Sequence, residues 1–446
     1  MNYKPPLDIT KSLYQACNPN KTLNSSSPED KQQYIDFSPV RGLKIVNEIK
    51  RTITRLSPDS PTCQLFTGHI GVGKSTELMR LKLELETECF HVIYFECSQS
   101  LDLGDVDVTD ILLAIAKEVS HSLEVTQINL KSGFFQTLFQ DVIEFLQTPL
   151  DIDFEAELSV GIAKITAKTK ESPKLRNQLR QYLEPRTASI LQSINRELLI
   201  PAQEELKKRG KSGLVVIIDN LDRIDNSPKA NGQHQPEYLF IERGEHLKAL
   251  SCHIVYTIPL VLIFSNALGR LINRFGVDPK VLPMISVKQR NGEYYSAAMT
   301  LLQQMIMVRA FPGVNWQQGP EKLALTTKIF DSPRTFDRLC QVSGGHLRSI
   351  LKLLFRCLQS QDAPISRLCL ENTIKEQCNL LSLAITPDEW ELLREVWKTK
   401  TYRGEEQYDI LLRSLFVFEY RDDQGSWFDI NPILLESTEF SRDYKD

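Results

Sequence analysis

The chain has 446 residues, 41% of them apolar and 25% charged, with a formal net charge of -4. That is the composition of an ordinary globular protein of about three domains, and it excludes a fibrous, collagen-like or wholly disordered chain. It also excludes a polycation drawn to nucleic acid along its whole length, although a local basic patch could still act.

In chain order, residues 1 to 38 read as an extended arm, because Pro5-Pro6, Asn18-Pro19-Asn20 and Ser25-Ser26-Ser27-Pro28 are breakers or turn formers. A helix follows over Leu43 to Arg55, with Ile45, Val46 and Ile49 on one face. Cys63 to Thr67 is a short buried strand, followed by a glycine-rich loop, a long helix from Lys74 to Glu88 and a second strand over His91 to Cys97. Strand, loop, helix, strand predicts a parallel α/β sheet. Leu214 to Ile218 is a third, central strand covered on both faces, Cys252 to Ile258 a fourth, and Val281 to Val287 a fifth interrupted by Pro283. Residues 99 to 211, between the second and third strands, exceed a normal crossover and read as a helical insertion with helices over Asp110–Leu123, Phe134–Leu146, Gln178–Leu199 and Pro201–Arg209.

After the sheet, residues 291 to 378 look all-helical, as a lid. Two more helices, Asp388–Lys398 and Glu405–Leu415, precede a hairpin of Phe416–Tyr420 and Ser426–Ile430 joined through Asp422-Asp423-Gln424-Gly425. Two helices and a hairpin make a winged-helix-like domain over 379–446. The expected division is therefore an arm at 1–38, a P-loop core at 39–290, the lid at 291–378 and the winged helix. The longest apolar run, Ile254 to Phe264, is broken by Pro259 and is far short of the ~20 residues of a membrane span. The N-terminus lacks the apolar core of a signal peptide. Nine cysteines without any Cys-x-x-Cys pair read as free thiols in a reducing, cytoplasmic setting, and seven histidines without ligand spacing argue against zinc.

The strongest chemical signal is Gly68-His69-Ile70-Gly71-Val72-Gly73-Lys74-Ser75-Thr76. The glycines let the backbone curl so that its N–H groups point at phosphate oxygens, and the following helix adds its positive end. Lys74 is expected on the β and γ phosphates and Ser75 on Mg²⁺. Asp219, at the carboxyl end of the third strand, is the second metal-side group. The residue after it is Asn220, which cannot accept a proton from an attacking water. Either Asp222 does so, with Glu96 ranked behind it, or hydrolysis is slow. No Asn/Thr-Lys-x-Asp guanine-reading motif is present, which favours ATP.

The P-loop, the Asp219-Asn220-Leu221-Asp222-Arg223 strand end and the helical lid resemble AAA+ and STAND-type ATPases, closest to bacterial switch ATPases and origin-recognition initiators. That resemblance covers residues 39 to 446 and implies further roles. Val40-Arg41-Gly42 would lie where such ATPases place an adenine-contacting segment. Thr257 would sense the γ-phosphate, or serve only as a β-branched strand residue. Arg270 and Arg274 would reach a neighbouring subunit's nucleotide in a homo-oligomer. Arg348, in Ser343-Gly344-Gly345-His346-Leu347-Arg348, would touch the γ-phosphate from the lid and couple nucleotide state to the lid angle. The implied activity is a slow ATPase switch with ATP and Mg²⁺, regulating an effector partner, with anti-phage defence as its setting. The alternatives are a nucleic-acid-loading ATPase of initiator or transposition-regulator type, and a nucleotide-dependent scaffold with little hydrolysis.

Charge divides the accessory parts. From Ile385 to Asp446 there are fifteen acidic and eight basic residues, which argues for a packing or partner-binding winged helix with Trp390, Trp397 and Trp427 in its core rather than a DNA reader. From Val160 to Lys211 there are twelve basic and five acidic residues. Lys164, Lys168, Lys170, Lys174, Arg176 and Arg180 are the candidate nucleic-acid contacts, unless they form only a solvated helical face.

Overall fold

A computed structural model describes residues 9–23, 27–42, 44–128, 130, 133–146, 158–229, 232–314, 320–404 and 406–441. The chain forms two compact units. One comprises Ile45–Thr67 and Leu78–Val281; the other comprises the chain up to Lys44, Gly68–Glu77 and Leu282 onward.

The first unit is built on a sheet of β1 (Cys63–Gly68), β2 (His91–Glu96), β3 (Leu214–Asp219), β4 (His253–Thr257) and β5 (Lys280–Leu282), in the order β2-β3-β4-β1-β5. The β2–β3, β3–β4 and β1–β4 pairs are parallel. All six residues of β3 and all five of β4 are buried, as continuous runs of β-formers require when helices cover both faces. The fifth strand is shorter than the sequence suggests: it stops at Leu282, because Pro283 has no N–H for a ladder. This is an α/β P-loop NTPase core.

The stretch between β2 and β3 is helical, as expected. Its helices are Val108–Val125, Gly133–Leu146, Leu158–Glu171, Pro173–Leu183, Thr187–Ser193 and Ile200–Lys208. Asp107 and Asp110 form a reciprocal capping box at the start of Val108–Val125. Arg176 pairs with Asp102 at 2.5 Å and Arg180 with Asp105 at 2.6 Å, so these two candidate basic residues are held by carboxylates. Lys164 and Lys174 are exposed; the side chains of Lys168 and Lys170 lie outside the described residues.

In the second unit, Ser296–Ala310, Pro320–Ile329, Pro333–Val342, Leu347–Ser360 and Arg367–Ser382 are the expected helices, and Ile306, Phe330, Leu339, Leu354 and Ile374 stand in one apolar core. Pro387–Thr399 follows, opened by a Thr386/Glu389 capping box, then Glu406–Arg413 and the antiparallel hairpin β6 (Val417–Asp422) and β7 (Gly425–Ile430). Trp390 and Trp427 are buried, and Trp397 is half-buried.

The N-terminal arm is not extended where it is described. It carries the helices Ile9–Ala16 and Pro28–Gln33. Pro28 starts a helix rather than breaking one: it occupies the first helical position, where its missing N–H costs nothing, and the Ser27 hydroxyl accepts from the Asp30 N–H. Leu13, Phe37 and Val40 are buried in the core that holds the lid helices. The helix expected from Leu43 to Arg55 runs over Ile45–Arg51 and ends in a π turn, Thr52–Leu56; Leu43 is outside the described residues.

Candidate nucleotide site

The P-loop leaves β1 at Gly68 and enters the helix Lys74–Thr87. Gly71 and Gly73 have φ of 88° and 103°, a region only glycine adopts freely. A Cβ on Gly71 would lie 2.6 Å from His346 Nε2, so this position also needs glycine for space.

Every carbonyl from Gly68 to Val72 accepts a hydrogen bond. Lys74 Nζ donates to Gly68 O at 2.7 Å and to His69 O at 2.9 Å. His346 Nε2 donates to Ile70 O at 2.7 Å, and the Arg348 N–H to Gly71 O at 3.2 Å. Arg41 Nη2 donates to Val72 O at 2.7 Å. The amides of Lys74, Ser75 and Thr76 stand in the first helical turn, where no intrahelical carbonyl reaches them. Tied carbonyls and first-turn amides at a positive helix end are the arrangement a phosphate chain requires. The residues therefore fit a nucleoside triphosphate.

The turn Ser343–His346 is built to touch this loop. The helix Pro333–Val342 ends ahead of Gly344 and Gly345, at φ of 60° and 77°, and a Cβ on Gly345 would lie 1.8 Å from Ile285 O. His346 also receives the Ser349 hydroxyl at 2.6 Å on Nδ1, which fixes the tautomer that donates to Ile70. Burial pushes His346 down to about 4, so the ring is neutral at pH 7. Arg348 opens the helix Leu347–Ser360, its side chain half-buried.

A third contact on the loop comes from the C-terminal hairpin. The Glu419 N–H donates to His69 Nε2 at 3.0 Å, and His69 and His346 both face the Phe418 ring, at 6.1 and 5.6 Å between centroids. Burial holds His69 down at about 3 and pushes the Glu419 carboxyl up to about 7. Tyr420 Oη donates to Gly344 O at 2.7 Å. Reading the sequence identified His69 only as a loop position and missed the roles of His346, Phe418 and Glu419. The contacts span 276 and 350 residues of chain, and no local pattern announces them.

The carboxylates lie at the carboxyl ends of parallel strands. Asp219 is buried; its Oδ2 accepts from Tyr94 Oη at 2.8 Å and its Oδ1 from the Asn220 N–H at 2.7 Å. Glu96 is the register partner of Asp219, so both side chains leave neighbouring strands on one face. Asp222, half-buried, stands in the 3₁₀ turn Leu221–Arg223. Thr257 is fully buried; its Oγ1 accepts from the Leu221 N–H at 3.0 Å and donates to Ile218 O at 3.3 Å, bracing the turn after Asp219. Arg41, expected to contact the base, has its guanidinium on Val72 O. Arg270 pairs with Glu242 at 2.7 Å, and Arg274 with Ile241 O at 2.8 Å and Glu245 at 3.1 Å.

Among known proteins, the model of the KAP family P-loop domain matches residues 44–231. No curated protein matches the chain. Solved structures that resemble it include the Walker-type ATPase PABY2304 of Pyrococcus abyssi, at 14% identity and TM-score 0.41 over 87% of this chain and 93% of that one. The ADP form of the Aeropyrum pernix ORC2 protein matches at 11% identity and TM-score 0.39 over 94% of each chain. Drosophila ORC bound to DNA matches at 10% and 0.35 over 98% of this chain and 94% of that one. The chain carries a P-loop NTPase domain, and among the described residues no helix is long and apolar enough to cross a membrane.

Proposed function

We propose that the protein is an ATP-binding, slowly hydrolysing conformational switch whose lid responds to the occupied P-loop. The observation that carries this is the pair of hydrogen bonds from His346 and the Arg348 N–H to the carbonyls of Ile70 and Gly71. The loop's amides would face the phosphates while the carbonyls of Ile70 and Gly71 are held by the lid turn, so a change on one side of these peptides would be felt on the other. Lys74 donates to two loop carbonyls here and would move to the phosphates; Ser75 and Asp219 would hold Mg²⁺, which supplies charge neutralisation on the phosphate oxygens. Asn220, the residue that follows Asp219 in the chain, cannot accept a proton from an attacking water, which favours slow turnover. The division at residues 38, 290 and 378, the trans roles of Arg270 and Arg274, and an effector or second copy as partner belong to the same proposal.

A second reading is a nucleic-acid-loading ATPase. Exposed Lys164 and Lys174 favour it; the initiator structures above resemble the chain too weakly to weigh. The two readings share the nucleotide site and differ in client.

The test is equilibrium binding of a fluorescent ATP analogue with Mg²⁺. Lys74→Ala should abolish binding, and His346→Ala should weaken it about tenfold, one hydrogen bond's worth of ~1.4 kcal/mol. Unchanged affinity in His346→Ala, at unchanged melting temperature, would remove the lid from the site. Adding duplex DNA separates the readings: ATP-dependent binding lost in Lys164→Glu/Lys174→Glu selects the loader, and no binding at low salt selects the switch.

A further inference from the structure

A cleft of about 720 Å³ opens in the second unit, away from the P-loop residues. Its walls are the short helix around Pro39 and Val40, the turn from Ser286 to Tyr295, and the tip of the β6–β7 hairpin. The volume lies in the range of small-molecule sites. None of residues 68 to 76 lines it.

Three features point to an anionic ligand with a planar ring. First, Ser286 is 8% exposed and its Oγ has no hydrogen-bond partner among the described residues, although buried hydroxyls are almost always satisfied. Second, Lys288 and Arg421 both line the cleft, and neither forms an ion pair among the described residues. Third, the cleft offers flat surfaces. Arg290 is locked by two bonds to Asp422, at 2.9 and 3.0 Å, so its guanidinium and the carboxylate form a fixed plane. Tyr295 adds a half-buried ring, and Trp427, stacked on Tyr420 at 4.6 Å, is the floor. Two cations without an ion pair among the described residues (one of them, Lys288, 5.1 Å from the Tyr294 ring centroid), an unsatisfied hydroxyl and planar walls suit a base and a phosphate together.

The cleft is also wired to the P-loop. Val40 and Gly42 line it, while Arg41 between them turns its side chain the other way, onto Val72 O. A ligand pressing on this single turn would bear on the peptide that shapes the loop.

We propose that this cleft is a second ligand site, for a nucleoside monophosphate, distinct from the P-loop and coupled to it through Arg41. The probe is radiolabelled AMP, with UMP and orthophosphate as competitors, in equilibrium dialysis against the full chain. AMP should bind with one site per chain. Lys74→Ala should leave that binding intact while losing the fluorescent ATP analogue. Lys288→Glu/Arg421→Glu should weaken AMP at least tenfold while keeping the ATP analogue, at an unchanged melting temperature, and Ser286→Ala should weaken it severalfold. Loss of AMP in Lys74→Ala but not in the charge-reversed variant would make the cleft irrelevant and AMP a P-loop ligand. No saturable AMP or UMP binding overturns the proposal, as does orthophosphate competing as well as AMP.

Discussion

Asn220 stands at φ 67°, in the left-handed region, directly after Asp219. Asn tolerates that conformation several-fold better than most side chains, so the turn that follows β3 has a backbone reason for this residue. Its side chain is committed as well, donating to Ser98 Oγ at 3.0 Å. A water-activating carboxylate must then come from elsewhere. Sequence proximity favours Asp222, but proximity along the chain is a poor guide across a sheet: register sets Glu96 beside Asp219. We therefore expect Glu96→Gln to slow single-turnover ATP hydrolysis by about 10²–10⁴-fold, the range for a lost general base, with nucleotide affinity kept. Asp222→Asn should cost less than tenfold. A rapid-quench measurement giving the reverse order would return the role to Asp222, and equal, small effects would support a scaffold that barely hydrolyses.

The hairpin β6–β7 places a buried carboxyl close to the loop. Glu419 accepts from Ser426 Oγ at 2.8 Å, its own N–H is on His69, and Arg421 is the nearby cation that opposes burial. With an ordinary value of 4.5 and a folded value of about 7, the native state holds this proton when the unfolded chain has lost it. Its contribution to stability is therefore greatest below pH 4.5 and falls as pH rises to 7. His69 and His346, at about 3 and 4 against an ordinary 6.5, act in the opposite sense: they cost stability as pH falls below 6.5. Glu419→Gln keeps the Ser426 contact and removes only the ionisation. Its melting temperature should exceed the parent's most at pH 8 and converge with it near pH 5; a pH-independent gap would show that the carboxyl is not titrating in that window. This hairpin also marks the limit of what sequence alone discloses. The alternation in Phe416–Tyr420 and Ser426–Ile430 identifies the strands, as the apolar run Leu214–Ile218 identifies β3 and the glycine spacing identifies the P-loop. These are local patterns with local causes. The docking of Phe418 on two histidines is decided by packing, and the N-terminal helices were hidden because Ser27-Pro28 opens a helix with the same residues that elsewhere end one.

For the whole molecule, the question is whether a second copy completes the nucleotide site. Arg270 and Arg274 project from the helix Leu268–Phe275 and are held by Glu242 and Glu245 of their own chain. All four side chains are a third exposed or more, and such pairs are worth about 0–1 kcal/mol. An arginine on a transferring phosphoryl group in a dry site gains more than that, so these pairs are no barrier to a trans role. They would act as resting positions from which ATP recruits the neighbour's side chains. Charge favours contact between copies through these oppositely charged segments, since Ile385–Asp446 carries fifteen acidic residues against eight basic, and Val160–Lys211 twelve basic against five acidic. Mass photometry should accordingly find a larger particle with a non-hydrolysable ATP analogue than with ADP or no nucleotide, and Lys74→Ala should stay at the smaller mass. Arg270→Ala/Arg274→Ala should still bind the analogue but turn over ATP at least tenfold more slowly, with raised salt reducing the assembled fraction. If mass stays constant while the analogue is bound, the arginines are surface ion pairs and the switch works within one chain, through His346 and the lid alone.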